Sequence, residues 1–213
     1  MSENTLNITE IFYSIQGEAL EVGLPTVFIR LTGCPLRCGY CDTTYAFKGN
    51  NLMTIDQIIE KVREFPTHQV CVTGGEPLAQ KNVHLLLNDL VKNKYQVSLE
   101  TSGSIDISEV NHAVSIVMDV KTPSSGEEHQ NLISNLQYIK SSDQIKFVIG
   151  DMDDFRWTEE FIQNKSLEGN ILISPVFGQV DLRDLADWLM QSKIKARLQV
   201  QLHKIIWGDE PGR

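Results

Sequence analysis

Short apolar runs alternate with amphipathic stretches along most of this chain of 213 residues. From residue 70 onwards, runs typical of buried strands recur, and helical patterns of about ten to fifteen residues separate them. This alternation favours βαβ units, whose right-handed crossovers place successive strands parallel in one sheet. About seven core strands are expected, fewer than the eight of a closed barrel, which also needs about 250 residues. The sequence therefore predicts an α/β fold, an incomplete and splayed (β/α) barrel that is open along one side.

The same pattern predicts where each element lies. Strands are expected at residues 11–15, 27–31, 70–73, 96–101, 115–120, 144–149, 170–174 and 197–202. Helices are expected at residues 55–64, 82–92, 108–112, 130–140, 153–163 and 181–191. Thr54 precedes the first of these helices and is a typical N-cap residue, while Pro66 follows its end.

The composition is that of a globular protein, with 41% hydrophobic and 22% charged residues. A chain of this length can form one well-buried domain and is short for two, so residues 1–213 are expected to form a single domain. No apolar run approaches a membrane span, and the N-terminus has no signal-peptide pattern, so we expect a cytoplasmic protein without a membrane partner. The net charge of −9, without a cluster of lysine and arginine, argues against a nucleic-acid surface.

Three of the four cysteines fall within eight residues, directly after the strand predicted at 27–31. Cys34, Cys38 and Cys41 have the spacing C-x3-C-x2-C. A disulfide would leave one of these thiols unpaired, and tetrahedral zinc needs four protein ligands, or three with a water. A cubane iron–sulfur cluster held by three thiolates keeps one iron open to a substrate or cofactor. The spacing therefore predicts a ligand loop for such a cluster, with zinc and chance clustering as alternatives.

The fourth cysteine lies about thirty residues downstream in an apolar run, and a small buried side chain is the simplest interpretation of Cys71. That run opens into Gly74-Gly75-Glu76-Pro77. Glycines let a backbone approach a ligand closely, and a carbonyl or carboxylate oxygen can accept a hydrogen bond from an ammonium group. Such a turn at the end of the strand after the cysteine loop indicates a second part of the same site.

Polar residues, glycine or proline also mark the ends of the later strands. They lie at residues 100–103, 119–123, 146 and 174–177. The carboxyl ends of parallel strands meet at one edge of a sheet, so these groups are expected to surround a ligand. Loops carry such residues by default, so the pattern supports a site there without proving it.

Arg30 interrupts an otherwise apolar predicted strand. An unpaired buried guanidinium is costly, so Arg30 is expected to meet an anion. One alternative is a structural ion pair with Glu18 or Glu100. The other is the carboxylate of a substrate, which arginine can hold with a bidentate fork.

The cysteine loop and the Gly-Gly-Glu-Pro turn together resemble the radical S-adenosylmethionine superfamily. In that superfamily the loop binds a 4Fe-4S cluster, whose open iron chelates the amino and carboxylate groups of S-adenosylmethionine. The turn engages the amino group of the methionine moiety. The resemblance implies a single radical S-adenosylmethionine domain with an incomplete TIM-like barrel.

The resemblance narrows to the 7-carboxy-7-deazaguanine synthase family through sequence blocks that cover most of the chain. These blocks are residues 12–18, 25–31, 33–43, 73–77, 100–103 and 201–204. The family resemblance implies a carbon–nitrogen lyase that converts 6-carboxy-5,6,7,8-tetrahydropterin to 7-carboxy-7-deazaguanine with release of ammonia. That step belongs to the biosynthesis of queuosine and other 7-deazapurines.

The resemblance also implies a role for individual residues. Cys34, Cys38 and Cys41 would bind the 4Fe-4S cluster, and Thr43 would bind a magnesium ion. Substrate contacts are implied at Ile15, Gln16, Gly17, Glu18, Arg30, Thr73 and Arg213. Contacts with S-adenosylmethionine are implied at Tyr40, Asp42, Gly74, Gly75, Glu76, Ser102, Asp119, Val120, Lys121, Ser174, Pro175, Val176 and Phe177. His203 is expected to support the pocket rather than to act as a base.

The implied partners are the pterin substrate, a flavodoxin-like or other low-potential reductant, and a second copy of the chain in a homodimer. Two other classes stay open. A radical activase would share the cysteine loop but act on a partner protein. A zinc-binding module without catalysis would use Cys34, Cys38, Cys41 and Cys71 as its four thiolates.

Overall fold

A computed structural model describes residues 4–208, 210 and 212, and it centres on one sheet of nine strands. The strands are β1 (Thr5–Ile15), β2 (Pro25–Leu31), β3 (Leu52–Thr54), β4 (Gln69–Gly74), β5 (Gln96–Thr101), β6 (Ser115–Val120), β7 (Gln144–Ile149), β8 (Asn170–Pro175) and β9 (Arg197–Leu198). The α-helices are α1 (Ile55–Arg63), α2 (Val83–Lys92), α3 (Met152–Asn164), α4 (Leu182–Gln191) and α5 (Leu202–Trp207). None of the described helices is long and apolar enough to cross a membrane.

The strands lie in the order β3-β1-β2-β4-β5-β6-β7-β8-β9. Every neighbouring pair from β2 to β9 is parallel, while β1 runs antiparallel to both β2 and β3. Among the described residues β3 and β9 form the two edges, so the sheet does not close on itself. The predicted α/β fold, an incomplete barrel, is confirmed. Its parallel strands bring their carboxyl ends to one edge of the sheet, where ligands bind in such folds.

The first helix shows why the sequence pattern located most elements correctly. Ile55, Ile58, Ile59 and Val62 are buried on one face of α1, as their spacing predicts. Thr54 is the N-cap and forms a capping box, in which its side chain and that of the third helical residue each accept a backbone hydrogen bond from the other residue. These local signals are strong enough to define the helix without help from the rest of the fold.

The helix predicted at residues 130–140 is wrong. Two short 3-10 helices, Glu128–Gln130 and Ile133–Tyr138, replace it. Asn135 is fully buried, and its amide donates to the carbonyls of Gly103 at 3.1 Å and Ile105 at 2.8 Å. The segment therefore bonds to a neighbouring loop, and an asparagine with such partners competes with a regular helix.

Two further predictions are corrected. Residues 108–112 form turns instead of a short helix. The strand predicted at 197–202 is only β9, two residues long, and is followed by α5. The Ala19 N–H donates to Gln199 Oε1 at 2.9 Å, and Gln199 Nε2 donates to the Ala19 carbonyl oxygen at 2.8 Å. These hydrogen bonds join the segment to the loop after β1. The residues that follow, Gln201 and His203, line the cavity described below.

Candidate active site

A cavity of about 460 Å³ opens where the parallel strands end. Most predicted site residues line it: Ile15, Gln16, Gly17, Glu18, Arg30, Cys34, Cys38, Tyr40, Cys41, Asp42, Thr43, Thr73, Gly74, Gly75, Ser102, Asp119, Lys121, Pro175, Val176 and Phe177. Glu76, Val120 and Ser174 do not line it. Arg213, a predicted substrate contact, lies outside the described residues.

The three thiols of the cysteine loop meet at this cavity. Cys34, Cys38 and Cys41 are free and partly exposed, and all three contribute to the cavity wall. Cys71 is fully buried in β4, as the apolar run around it predicted. A site of four thiolates therefore lacks its fourth ligand, which argues against the zinc module.

The cysteine loop, residues 33–43, contains no strand or α-helix, so its shape depends on neighbouring segments. The Gly39 N–H donates to the Ser125 carbonyl at 3.0 Å. The Arg37 N–H donates to Glu127 Oε1 at 2.5 Å. The turn after β6 therefore holds the backbone of the cysteine loop in place. The backbone conformation of the loop in turn sets the directions of the three thiols.

The donor set fits an iron–sulfur cluster. Burial raises the pKa of the Cys34 and Cys38 thiols, although the nearby Lys121 opposes this, and a bound metal deprotonates such ligands outright. Within the described residues no three His, Cys, Asp or Glu side chains converge as they would on a single metal ion. Three free thiols without a fourth suit a four-iron cluster, which keeps one iron open, better than tetrahedral structural zinc.

The glycine turn packs against the cysteine loop with no room for side chains. A Cβ on Gly75 would lie 2.3 Å from the Gly33 carbonyl oxygen and 2.8 Å from Cys34 Cβ. A Cβ on Gly74 would lie 2.4 Å from the Leu31 carbonyl oxygen. Only glycine allows this approach, so the two sequence motifs form one continuous surface of the cavity.

Glu76, a predicted cofactor contact, lies just behind the cavity wall. Its carboxylate is fully buried and accepts hydrogen bonds from Thr101 Oγ1 at 3.0 Å, the Ser102 N–H at 2.6 Å and the Leu78 N–H at 2.9 Å. The predicted contact of this carboxylate with a cofactor amino group stays a prediction. Glu76 ties the turns after β4 and β5 together and so fixes the backbone that does line the cavity.

Two other predicted cofactor contacts also lie behind the wall. Val120 is part of the hydrophobic core. Ser174 is buried, and its hydroxyl has no hydrogen-bond partner within the described part of the chain. The next three residues, Pro175, Val176 and Phe177, do reach the cavity. Three of the four residues predicted at this strand end therefore line the cavity, and their contact with the cofactor stays a prediction.

Arg30 forms an ion pair that the sequence analysis did not name. Its Nε donates to Glu10 Oε1 at 2.7 Å, and the Tyr45 hydroxyl donates to the same oxygen at 2.8 Å. Glu10 faces Arg30 across the β1–β2 pair, a register that no spacing in the sequence revealed. The guanidinium lies 5.7 Å from the Phe12 ring centroid and 5.9 Å from that of Tyr45, so two aromatic rings flank it. Burial raises the pKa of Tyr45 to about 12, so this phenol remains a donor.

A row of alternating charges also lines the cavity. Lys146 Nζ lies 2.8 Å from Glu18 Oε2 and 3.4 Å from Asp119 Oδ1, and Lys121 Nζ lies 2.9 Å from Asp119 Oδ2. Gln201 Nε2 donates to the other Glu18 oxygen at 2.8 Å. Burial alone would raise the pKa values of Glu18 and Asp119, but the lysines hold both below their ordinary values. The row is therefore ionised and internally compensated.

Glu100 lines the cavity, and the sequence analysis placed it at a ligand-facing strand end without assigning it a contact with substrate or cofactor. It accepts from Thr73 Oγ1 at 2.8 Å and from Gln16 Nε2 at 3.4 Å. Its carboxylate thereby links two predicted substrate contacts. The available signal was its position next to the end of a predicted strand.

The sequence analysis also missed an apolar part of the wall. Its members are Phe12, Phe28, Leu36, Tyr45 and Phe47. Phe12 and Phe28 are partners across the β1–β2 pair, and their rings stack with centroids 4.9 Å apart. A flat apolar surface of this kind suits a planar heterocycle.

The C-terminal segment covers one side of the cavity. The Leu202 N–H donates to the Gly17 carbonyl at 2.9 Å, and Lys204 Nζ lies 3.9 Å from Asp42 Oδ2. His203 packs so closely on Gly17 that a Cβ there would lie 2.0 Å from His203 Nδ1. The expected supporting role of His203 agrees with this packing.

Thr43, the predicted magnesium ligand, lines the cavity beside Asp42. The Thr43 hydroxyl donates to Asp42 Oδ1 at 2.7 Å. Two hard oxygen donors thus stand together next to the cysteine loop, which is the chemistry magnesium prefers.

Comparison with known proteins agrees with this geometry. The family model of the radical SAM superfamily matches residues 28–141. The chain is 43% identical over 203 residues to the 7-carboxy-7-deazaguanine synthase of Methanospirillum hungatei, covering 94% of this chain and 85% of that one. It is 40% identical over 214 residues to the 7-carboxy-7-deazaguanine synthase of Chlorobaculum tepidum, covering 98% and 97%. The chain belongs to the 7-carboxy-7-deazaguanine synthase family.

Solved structures show the same fold for this member of the 7-carboxy-7-deazaguanine synthase family. The crystal structure of QueE from Escherichia coli superposes with a TM-score of 0.77 at 22% identity, covering 93% of this chain and 95% of that one. Streptococcus suis SuiB bound to its precursor peptide SuiA gives a TM-score of 0.59 at 15% identity, covering 79% and 46%. At these identities the likeness concerns the fold alone.

Proposed function

We propose that this protein converts 6-carboxy-5,6,7,8-tetrahydropterin to 7-carboxy-7-deazaguanine and ammonia, as a radical carbon–nitrogen lyase. The product is the substrate less one ammonia, so the overall reaction consumes no net oxidant or reductant. The observation that carries the proposal is that three free thiols and a set of buried charged side chains line one cavity. The relatives that share most of the chain carry the name of this activity.

Cys34, Cys38 and Cys41 would hold the 4Fe-4S cluster, and Gly74 and Gly75 would present backbone to S-adenosylmethionine. Bound together, these two cofactors supply the radical that starts the reaction. The protein's part is to place the pterin beside them and to exclude water. The packed C-terminal segment and the apolar part of the cavity wall support this second task.

Arg30 is suited to bind the substrate carboxylate. Its Nε donates to Glu10, and no described residue hydrogen-bonds either of its Nη groups. The two Nη groups therefore form a fork that a carboxylate can engage. The guanine-like edge of the pterin presents N–H donors, and Glu18 and Glu100 offer acceptor oxygens in the same cavity.

Magnesium is part of the proposal through Thr43 and Asp42. Magnesium keeps several waters and takes the remaining ligands from a few oxygens, so a hydroxyl and a substrate carboxylate would suffice. A flavodoxin-like or other low-potential reductant, a homodimer and a cytoplasmic location complete the proposal. They rest on the family resemblance and on the free thiols, which suit a reducing compartment.

The deciding experiment is an anaerobic assay of the purified protein with reductant, S-adenosylmethionine, magnesium and 6-carboxy-5,6,7,8-tetrahydropterin. We expect about four irons per chain and a product with the mass of 7-carboxy-7-deazaguanine. Release of equimolar ammonia is the second readout. A colourless, zinc-loaded protein, or an iron-loaded protein that leaves the pterin unchanged, would contradict the proposal.

A further inference from the structure

Lys146 is a cation in the middle of β7, a strand that is otherwise apolar apart from its first residue. Its side chain is only 13% exposed, and it lines the cavity. A buried ammonium is stable only when carboxylates and hydrogen bonds compensate it. Lys146 has two such carboxylates, Glu18 at 2.8 Å and Asp119 at 3.4 Å.

The two carboxylates serve different sides of the cavity. Glu18 belongs to the loop after β1, where the substrate contacts are proposed, and Asp119 lies in β6 on the side proposed for S-adenosylmethionine. Each carboxylate has one further partner of its own: Gln201 for Glu18, and Lys121 for Asp119. Among the described residues, Lys146 is the side chain that touches both.

We propose that Lys146 is a shared positioning residue, whose single ammonium aligns the substrate-side carboxylate Glu18 and the cofactor-side carboxylate Asp119. This inference rests on the proposed function, since it takes its two ligands from there. Lys146 does not need to touch either ligand. It acts by keeping both carboxylates ionised and turned into fixed positions at the cavity wall.

The physical reason is the cost of an uncompensated buried charge. Without the ammonium, Glu18 would keep Gln201 as its partner, and Asp119 would keep Lys121. Each would then rotate towards water or take up a proton, and both ligand sites would lose an oriented acceptor. The pKa of Lys146 agrees with this role: burial by itself lowers it, but the charges of Asp119, Glu18 and the nearby Glu100 raise it well above its ordinary value.

The test is Lys146→Met, which removes the charged Nζ and keeps an unbranched side chain that is one atom shorter. Two dissociation constants are measured on anaerobically reconstituted protein: that of S-adenosylmethionine without pterin, and that of the pterin without S-adenosylmethionine. We expect the pterin constant to rise by about tenfold or more, the scale of losing the charge-assisted hydrogen bond to Glu18. The constant for S-adenosylmethionine should rise by roughly three- to fivefold, because Lys146 meets Asp119 as an ion pair at 3.4 Å. Iron content and melting temperature are recorded to show that the cluster and the fold persist.

Two matched controls come from the ends of the same row. Lys121→Met removes a cation that contacts Asp119, and it should weaken S-adenosylmethionine binding while the pterin constant stays within about twofold of the original. Gln201→Leu removes a partner of Glu18, and it should weaken the pterin alone. The joint effect is then specific to Lys146.

The inference is overturned if Lys146→Met changes the dissociation constant of one ligand alone. It is also overturned if either control variant weakens the binding of both ligands. Should Lys146→Met fail to fold, Lys146→Arg decides, because it keeps the charge but moves it. Its two dissociation constants should then shift together, and a shift in one alone overturns the inference. A wild-type protein that binds no pterin would instead refute the proposed function itself.

Discussion

The two walls of the cavity are organised in different ways. The cluster wall consists of the cysteine loop, residues 33–43, with the Gly74-Gly75 turn. The charged wall consists of the side chains of Glu18, Arg30, Glu100 and Lys146. Backbone contacts hold the cluster wall in place, as where the Gly39 N–H meets the Ser125 carbonyl. Side-chain hydrogen bonds and ion pairs hold the charged wall.

This difference shows which wall the protein completes by itself. The charged side chains compensate one another, so the charged wall is already arranged before any ligand binds. Thiolates obtain their strongest partners from a metal, so the cluster wall depends on its cofactor. Substitutions in the cluster wall should therefore affect cluster assembly and every later step. Substitutions in the charged wall should leave the cluster intact.

The largest effect is expected from the three loop cysteines. Cys34→Ala, Cys38→Ala or Cys41→Ala should each abolish cluster assembly and all activity, because two thiolates cannot anchor a cubane. Iron per chain and the visible absorbance after anaerobic reconstitution measure this. Cys71→Ala is the matched control and should keep the cluster, since Cys71 is buried in β4. Normal iron in a loop variant, or none in the control, would overturn the ligand assignment.

Arg30→Lys tests the charged wall. Lysine keeps the charge but loses the fork, so substrate affinity should fall by about 1.5–3 kcal/mol, or about tenfold to more than a hundredfold. Reductive cleavage of S-adenosylmethionine without pterin should persist, because it does not depend on the pterin carboxylate that Arg30 is proposed to bind.

The control for Arg30→Lys is Arg63→Lys, the same exchange at an exposed arginine that bonds Asn93. It should change neither reaction. Equal loss of both reactions in Arg30→Lys would break the distinction between the walls, and so would unchanged substrate affinity in the folded variant.

Gly75→Ala sharpens the comparison from the cluster side. The added Cβ would lie 2.3 Å from the Gly33 carbonyl oxygen, so the cysteine loop must move. We expect a loss of about 1–3 kcal/mol in the free energy of unfolding of the apo protein, with reduced iron content. Urea unfolding and iron analysis measure the two effects.

Gly39→Ala, in the cysteine loop, is the control for Gly75→Ala. Among the described residues its Cβ would meet the Ser124 carbonyl oxygen at 3.8 Å, an ordinary contact. It should therefore keep both stability and iron. If the two alanine variants have the same stability and iron content, the close packing of Gly75 on the cysteine loop contributes to neither property.

The smallest effect is expected from Thr43→Ala, at the border between the walls. Removing one neutral oxygen ligand should raise the magnesium concentration needed for half-maximal activity by roughly two- to tenfold. Cluster content should not change. Thr43→Ser keeps a hydroxyl and should behave like the original protein. An unaltered magnesium response in Thr43→Ala would remove this residue from the proposed metal site.

The sequence alone located most strands and four helices, because those signals are local. An apolar run such as residues 144–149 is buried wherever a parallel sheet places it, and the Thr54 cap defines its helix within one turn. The cysteine loop and the glycine turn were equally local, since each is a fixed spacing of residues with defined chemistry. Their meeting at one cavity followed from the rule for parallel strand ends.

Tertiary structure decided the features that join distant segments. Glu10 meets Arg30 because the β1–β2 pairing places them opposite each other, and Lys146 meets Glu18 from 128 positions away. The segment around Asn135 bonds to a neighbouring loop instead of forming the predicted helix. Glu76 turns inward because Thr101 and Ser102 lie within hydrogen-bonding distance. A buried polar group takes whichever partner the packed chain brings to it, and spacing along the sequence does not encode that partner.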